Sequence, residues 1–303
     1  MKKALILTDG KAGHENQSKA FVRALGYDYE LVPVRFKSPF HKALSYLFDN
    51  LGIASSALFS CHLPAADAAV VVGTGSGTFY PAKTLARRLG VKCGVVLYPR
   101  GYRISSFGCV LAPAFDRPPA APNVIEIPAN LVANDPSFYA EGARSFQARH
   151  TPSAKPAVAV IVGGPNKCST LSADWMRTEL ERIFAETPDC EHWVTTSRRT
   201  PADVEQVIDA FPFDYKLLFS RDHFNPIPGF VSLARTLYVT AESTGMLSEA
   251  CTFGSAEVRA LDNLKPGPHK FRRFVEDLIA GGYVNGARKI DLSGSFARAR
   301  GLL

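Results

Sequence analysis

Short apolar runs alternate with longer amphipathic stretches along the chain. Runs with the apolar habit of buried strands fall at 3–8, 29–34, 68–72, 92–97 and 109–112. Between the first two, the stretch 15–25 sets Phe21, Ala24 and Leu25 on one helical face and meets Gly26, a residue suited to a helix stop. A second such stretch, 78–89, ends the same way at Gly90. The habit restarts with strands at 157–162, 192–195, 215–219, 237–240 and 257–261, separated by helices at 172–186, 201–210, 245–252 and 269–280. Strand and helix in alternation predict an α/β protein with parallel sheets.

Residues 145–156, SFQARHTPSAKP, interrupt this pattern with two prolines and no apolar period, and read as a linker. A chain of 303 residues suits two domains. The expected division is 1–150, 151–285, and a weakly patterned tail at 286–303 that returns across the cleft or stays loose. Apolar content of 46% lets each half bury a core. No apolar run nears the roughly 18 residues of a membrane helix. The stretch before Asp9 is too short for a signal peptide. Six scattered cysteines without a C-x-x-C pair suit reduced thiols, and a cytoplasmic location is expected. The net charge of +7 suggests an anionic partner. Zinc-finger, RNP and basic-helix patterns are missing, so no nucleic-acid partner is expected.

In parallel α/β sheets, ligands bind beyond the carboxyl ends of the strands. The first strand is followed by TDGKAGHENQ, in which Asp9, Gly10, Lys11, Gly13, His14, Glu15 and Asn16 crowd a turn before a helix. The third is followed by a glycine-rich turn with Gly73, Gly75 and Gly77. It matches neither G-x-G-x-x-G nor a P-loop, which argues against a bound dinucleotide cofactor. In the second half, Gly163, Gly164 and Lys167 follow one strand, and Ser197, Arg198 and Arg199 the next. Paired arginines can grip a diphosphate through forked hydrogen bonds, or simply form a solvated turn. A polar loop with Asn225 follows the third strand. After the fourth, Glu242, Ser243, Thr244 and Gly245 precede a helix that carries Glu249. Such a helix start suits phosphate, and a carboxylate one turn in suits a ribose diol; capping is the plainer use of Ser243. No Asp-x-Asp or H-E-x-x-H motif occurs, and no metal is expected.

Together, LTDGKAGHENQS, IVGGPNK, TTSRRTP and VTAESTGMLSEAC resemble the plant and proteobacterial family of the "elongated mitochondria" fission protein, over residues 4 to about 280. The resemblance implies a GT-B-like fold, with two Rossmann-like domains facing across a cleft. It implies a glycosyltransferase with an acceptor side in the first domain and a nucleotide-sugar donor side in the second. The family is distantly similar to the lipid-linked N-acetylglucosaminyl transferase of peptidoglycan synthesis. Bacterial members also carry a nucleotide-sugar epimerase label, against which the missing G-x-G-x-x-G speaks. Family members often have Asp where this chain has Glu242, and the loop NPIPGF departs from the commoner Asn-Pro-Tyr form.

On this reading the donor is a substrate and no cofactor is needed. His14, or else Asp9, takes the proton of the acceptor hydroxyl. Arg198, Arg199, Lys167 and the helix start at 243–245 hold the leaving diphosphate, and Glu249 orients the ribose. Between Arg35 and Pro64, the positions Phe40, Ala43, Leu44, Leu47, Phe48 and Leu51 form a helical apolar stripe near Lys37, His41 and Lys42. The stripe either packs on the core or rests on the inner face of an anionic membrane, which would suit a lipid-linked or cell-envelope acceptor. The competing expectation is a GT-B-shaped protein that recruits partners without catalysis.

Overall fold

The computed structural model of the protein describes residues 3–62, 67–286 and 288–303. Residues 1–2 of the expected first domain, Leu63 and Pro64 of the stretch 35–64, and Ala287 of the expected tail lie outside them. The chain divides into two compact units. The first comprises 1–133 with 291–303, and the second 134–290.

In the first unit the elements are β1 (Lys3–Thr8), α1 (Ala12–Ala24), β2 (Asp28–Phe36), α2 (Pro39–Asn50), β3 (Phe59–Cys61), β4 (Ala68–Thr74), α3 (Phe79–Leu89), β5 (Lys92–Val96), β6 (Cys109–Pro113) and β7 (Val124–Ile127). The sheet runs β3-β2-β1-β4-β5-β6-β7, parallel except for the short edge strand β3. Alternate residues of β1 feed two cores. Leu5 and Leu7 join Phe79, Tyr80 and Leu85 of α3 on one face, and Ala4 and Ile6 join Phe21 and Val22 of α1 on the other. A parallel sheet with helices on both faces needs such strands, apolar on both sides.

In the second unit, α4 (Pro136–Gln147) precedes β8 (Ala157–Ile161), α5 (Ala173–Glu186), β9 (Glu191–Thr195), α6 (Ala202–Ala210), β10 (Tyr215–Leu217), α7 (Ile227–Leu233), β11 (Thr236–Thr240), α8 (Thr244–Thr252), β12 (Glu257–Leu261) and α9 (Lys270–Ala280). The parallel sheet order is β10-β9-β8-β11-β12. Helices α5 and α6 cover one face, with Met176, Leu180, Val204 and Ile208 over Val158, Val160 and Val194. Trp193 points to the other face and meets Phe146 of α4 and Phe230 of α7.

Two expected boundaries move. The division falls at 133/134 rather than at 150, because α4 packs on α7 of the second unit. A β-carbon on Gly142 would lie 2.3 Å from Pro228, so the two helices touch backbone to backbone. The expected linker is therefore a tied connection. Its first residues finish α4, and beyond them His150 and the Ser153 amide reach Glu191 at 2.5 and 2.6 Å. The tail likewise has structure. It forms α10 (Ser293–Leu302), which packs on β6 and β7 of the first unit and buries Ala299 completely.

Candidate functional site

In each sheet the connection reverses direction once, between β1 and β4 in the first unit and between β8 and β11 in the second. At such a point two neighbouring loops splay to opposite faces and leave a crevice beyond the strand ends. The motifs after β1, β4, β8 and β11 fall on these two points, whereas Ser197–Arg199 follow β9 and Asn225 follows β10.

In the first unit, the Asp9 carboxylate accepts from the backbone N–H of Lys11 at 3.3 Å, and α1 begins at Ala12. The helix thus starts three residues before the expected position 15, and His14 lies in its first turn rather than in the loop. The local bond to Asp9 starts the helix early. His14 Nδ1 lies 3.1 Å from both Asp9 oxygens, and Lys11 Nζ lies 3.4 Å from one of them. Burial acts to raise the Asp9 pKa, but His14 and Lys11 together outweigh it and hold the carboxyl below its ordinary value. An ionised carboxylate can only accept, so Nδ1 carries the proton of the neutral ring and Nε2 keeps a free lone pair.

The turn after β4 closes over this pair. Gly73 lies inside the strand, so the turn proper runs from Gly75, whose carbonyl accepts from the amide of Thr78 at 3.0 Å. Gly75 has φ +84°, and a β-carbon there would fall 2.3 Å from the His14 ring. A β-carbon on Gly77 would fall 2.9 Å from Asp9. The sequence reading missed three groups here. Thr8 donates to Glu15 at 3.1 Å, Lys42 of α2 donates to Ser76 at 2.9 Å, and Ser18 meets Thr74 at 2.6 Å. A cavity of about 1410 Å³ opens beside Asp9, Gly10 and Gly77, with Arg35, Lys37 and Lys42 on its wall.

In the second unit, the ends of three strands, β8, β9 and β11, are laced together. The amide of Gly163 donates to Thr240 Oγ1 at 2.8 Å, and Thr200 Oγ1 donates to the Gly163 carbonyl at 2.6 Å. The amide of Ser197 donates to the same Thr200 hydroxyl at 2.9 Å. A β-carbon on Gly164 would lie 2.4 Å from the Arg199 carbonyl oxygen, so this position needs glycine to admit the arginine turn. Arg198 and Arg199 are exposed, and among the described residues neither forms an ion pair. Ser243 stands at the start of α8 without a side-chain cap, which leaves the first N–H groups of that helix open.

Glu242 is not the donor-facing group that its position in the motif suggested. It is 2% exposed, and its oxygens accept from Thr240 Oγ1 at 3.1 Å and Asn263 Nδ2 at 2.8 Å. A β-carbon on Gly163 would strike its Oε1 at 2.2 Å. Burial raises its pKa. The carboxylate therefore props the turn from below. Glu249 accepts from the Tyr139 hydroxyl at 2.9 Å, and its carboxyl is also raised by burial. Lys167 is exposed, and its carbonyl accepts from Lys265. Asn225 Oδ1 accepts from the amide of Ile227 at the start of α7. Among the described residues, no direct bond ties Lys167, Asn225 or Glu249 to the Gly163–Thr200–Thr240 cluster. Asn263, beyond the fifth strand, and Tyr139, on α4, escaped the sequence reading. The polar run after that strand was the available signal for Asn263.

This architecture, two parallel-sheet Rossmann-like units with polar loops at their switch points, defines the GT-B class of glycosyltransferases and epimerases. Its solved members include UDP-GlcNAc 2-epimerase from Methanocaldococcus jannaschii, with 13% identity, a TM-score of 0.51, and 99% of this chain and 98% of that one covered. The Neisseria meningitidis enzyme bound to UDP-GlcNAc gives 11%, 0.51, 100% and 98%. MurG of Acinetobacter baumannii gives 16%, 0.49, 100% and 92%. The family model described as mitochondrial fission ELM1 matches residues 12–295, and the chain belongs to that family. The comparison with curated proteins finds no match. Because 2-epimerases share the fold, the fold alone does not separate transfer from epimerisation.

Proposed function

We propose that the protein is a glycosyltransferase that moves a sugar from a nucleotide-diphosphate donor to an acceptor hydroxyl, without a metal. The observation that carries this reading is the Asp9–His14 pair. Asp9 fixes the ring and its tautomer and stabilises the imidazolium that forms, while Nε2 takes the acceptor proton as the hydroxyl attacks the sugar. Asp9 is thus a positioning residue, and the base is His14. The diphosphate carries two negative charges in the donor and gains a third on its β-phosphate as the bond to the sugar breaks. Arg198, Arg199 and the open N–H groups of Thr244 and Gly245, next to the Ser243 hydroxyl, supply fixed donors, with Lys167 at the rim. Glu249, which accepts from Tyr139, is the group assigned to the ribose diol. A nucleotide-sugar partner also accords with the Neisseria epimerase of this fold, solved with UDP-GlcNAc.

The acceptor is proposed to lie at a membrane. Leu44 and Phe48 of α2 turn to the core, while Phe40, Leu47 and Leu51 are 71%, 54% and 64% exposed. An outward apolar stripe preceded by the exposed Lys37 suits an anionic bilayer and a lipid-linked acceptor. Among the described residues no helix is long and apolar enough to cross a membrane.

The test is a panel of nucleotide-sugars, with free nucleoside diphosphate and the sugar's configuration both followed. Transfer or slow hydrolysis frees the diphosphate, and His14→Ala should slow that release by about 10²–10⁴-fold with donor affinity little changed. Epimerisation alone would leave the nucleotide attached and change C2. A protein that only recruits partners would turn over nothing, and normal release by His14→Ala would remove the base from the mechanism.

A further inference from the structure

A second cavity, of about 550 Å³, opens at the opposite edge of the first sheet from the Asp9–His14 turn. It lies among the N-terminal ends of β5 and β6, helix α3 and the chain just after α2. The chemistry of its wall is one-sided. Lys83, Arg87, Lys92 and Arg103 line it against a single carboxylate, Asp49. That carboxylate is 4% exposed and already engaged, since it accepts from Lys83 and from the backbone N–H of Arg103. Lys83 itself lies over the rings of Tyr102 and Phe107 at 5.2 and 5.1 Å, so this pair belongs to the wall.

The other cations bond to backbone carbonyls, and Arg103 Nη1 donates to that of Asn50 at 3.4 Å. Arg87 Nη1 donates to the Gly52 carbonyl at 3.2 Å, and Arg103 Nη1 sits 3.4 Å from where a β-carbon of Gly52 would stand. Two guanidiniums are thereby drawn to one glycine, and among the described residues neither pairs with a carboxylate. Lys92 Nζ donates to the Leu302 carbonyl at 2.8 Å. Like charges gathered at a cavity mouth repel one another until an anion lies between them. The wall holds a second unused group. Thr84 is 5% exposed, lines the cavity, and its hydroxyl has no hydrogen-bond partner among the described residues.

We propose that this cavity is a second, non-catalytic binding site for a phosphomonoester, clamped by Arg87 and Arg103 with Lys92 beside them. A phosphate dianion matches two forked guanidiniums better than a carboxylate does, because it offers more acceptor oxygens and more charge. The volume exceeds that of phosphate alone and leaves room for the organic part against Val91 and Phe107. Ile53, also on the wall, is 44% exposed and follows the outward stripe of α2. The phosphate could therefore come from a soluble ester or from a lipid headgroup.

The full chain, labelled with ¹⁵N, is titrated with glycerol 3-phosphate. The same chain is sedimented with vesicles of phosphatidylcholine with and without phosphatidic acid. The expected result is saturable amide shifts at Gly52, Thr84 and Gly108, weakened about tenfold or more in Arg87→Gln/Arg103→Gln, as loss of charged hydrogen bonds predicts. Vesicle binding that needs phosphatidic acid and falls in the same variant assigns the headgroup as the source. Vesicle binding indifferent to the variant assigns the soluble ester. Both replaced side chains are exposed and bond only to carbonyls, so the variant should fold, and the wild-type shift map stands without it. The site is overturned if neither probe gives a response at these amides or one sensitive to the variant, or if the shifts gather at Asp9–His14 instead.

Discussion

At the scale of single residues, the turn after β4 shows how little space the chemistry leaves. Gly75 combines a left-handed backbone with a close approach to the His14 ring, so Gly75→Ala should move that ring and strain the turn. Gly13, one residue before His14, has nothing within 4 Å of a β-carbon position. In nucleotide-sugar turnover, Gly75→Ala should lose about as much as His14→Ala, roughly 10²-fold or more, while Gly13→Ala stays near the parent. Equal activity of the two alanine variants would contradict the packing. A second residue-level test concerns Glu191. Burial acts to raise its carboxyl, yet hydrogen bonds from Ser153, His150 and Trp193 outweigh it and lower the pKa from 4.5 to about 2. A depressed acid contributes stability above its unfolded value and loses it as pH falls through the folded one. Glu191→Gln should therefore cost about 2–3 kcal/mol in urea unfolding at pH 7, with the gap closing between pH 4.5 and about 2. A gap independent of pH would mean that the charge is not what matters.

At the scale of elements, α2 carries the most instructive surprise. Its buried positions include Ser45 and Asp49, polar residues that a periodicity argument assigns to solvent. They are inside because Ser45 bonds the Tyr102 hydroxyl at 2.9 Å and Asp49 pairs with Lys83. Partners on α3 and the turn before β6 thus rotate the helix and expose Phe40, Leu47 and Leu51, which no single-sequence pattern reveals. Leu47→Ser with Leu51→Ser should leave stability within about 0.5 kcal/mol and reduce sedimentation with anionic vesicles. Phe48→Ala, on the inward side, should cost about 2–4 kcal/mol. Elsewhere the strands were legible because parallel strands buried on both faces are continuous apolar runs, as at 3–8 and 157–161. Helix α10 was not, because Ser293, Gly294, Ala297 and Gly301 give it almost no amphipathic contrast. Helix α4 was missed for another reason. Its place in the second unit depends on the backbone contact at Gly142, a long-range fact.

At the scale of the whole molecule, two units of the same architecture carry different chemistry at equivalent topological points. The first holds the Asp9–His14 pair and a basic-walled cavity, and the second holds the exposed Arg198 and Arg199 beside an uncapped helix start, with Glu242 buried beneath its turn. The strand-end rule made both sites legible from sequence, whereas the direction in which Glu242 points depended on Asn263 and Thr240, which lie on different strands' ends. The net charge of +7 fits an anionic substrate on both counts. The central claim is that the second unit binds a nucleoside diphosphate at the β8–β11 switch point. It is tested most directly by thermal unfolding with increasing concentrations of UDP, GDP, ADP and CDP. A ligand of the native state adds about 1.4 kcal/mol for each tenfold rise above its dissociation constant. The account predicts that one of the four raises the midpoint progressively, that Arg198→Ala/Arg199→Ala abolishes the rise, and that His14→Ala preserves it. A midpoint that none of the four nucleotides moves would contradict it.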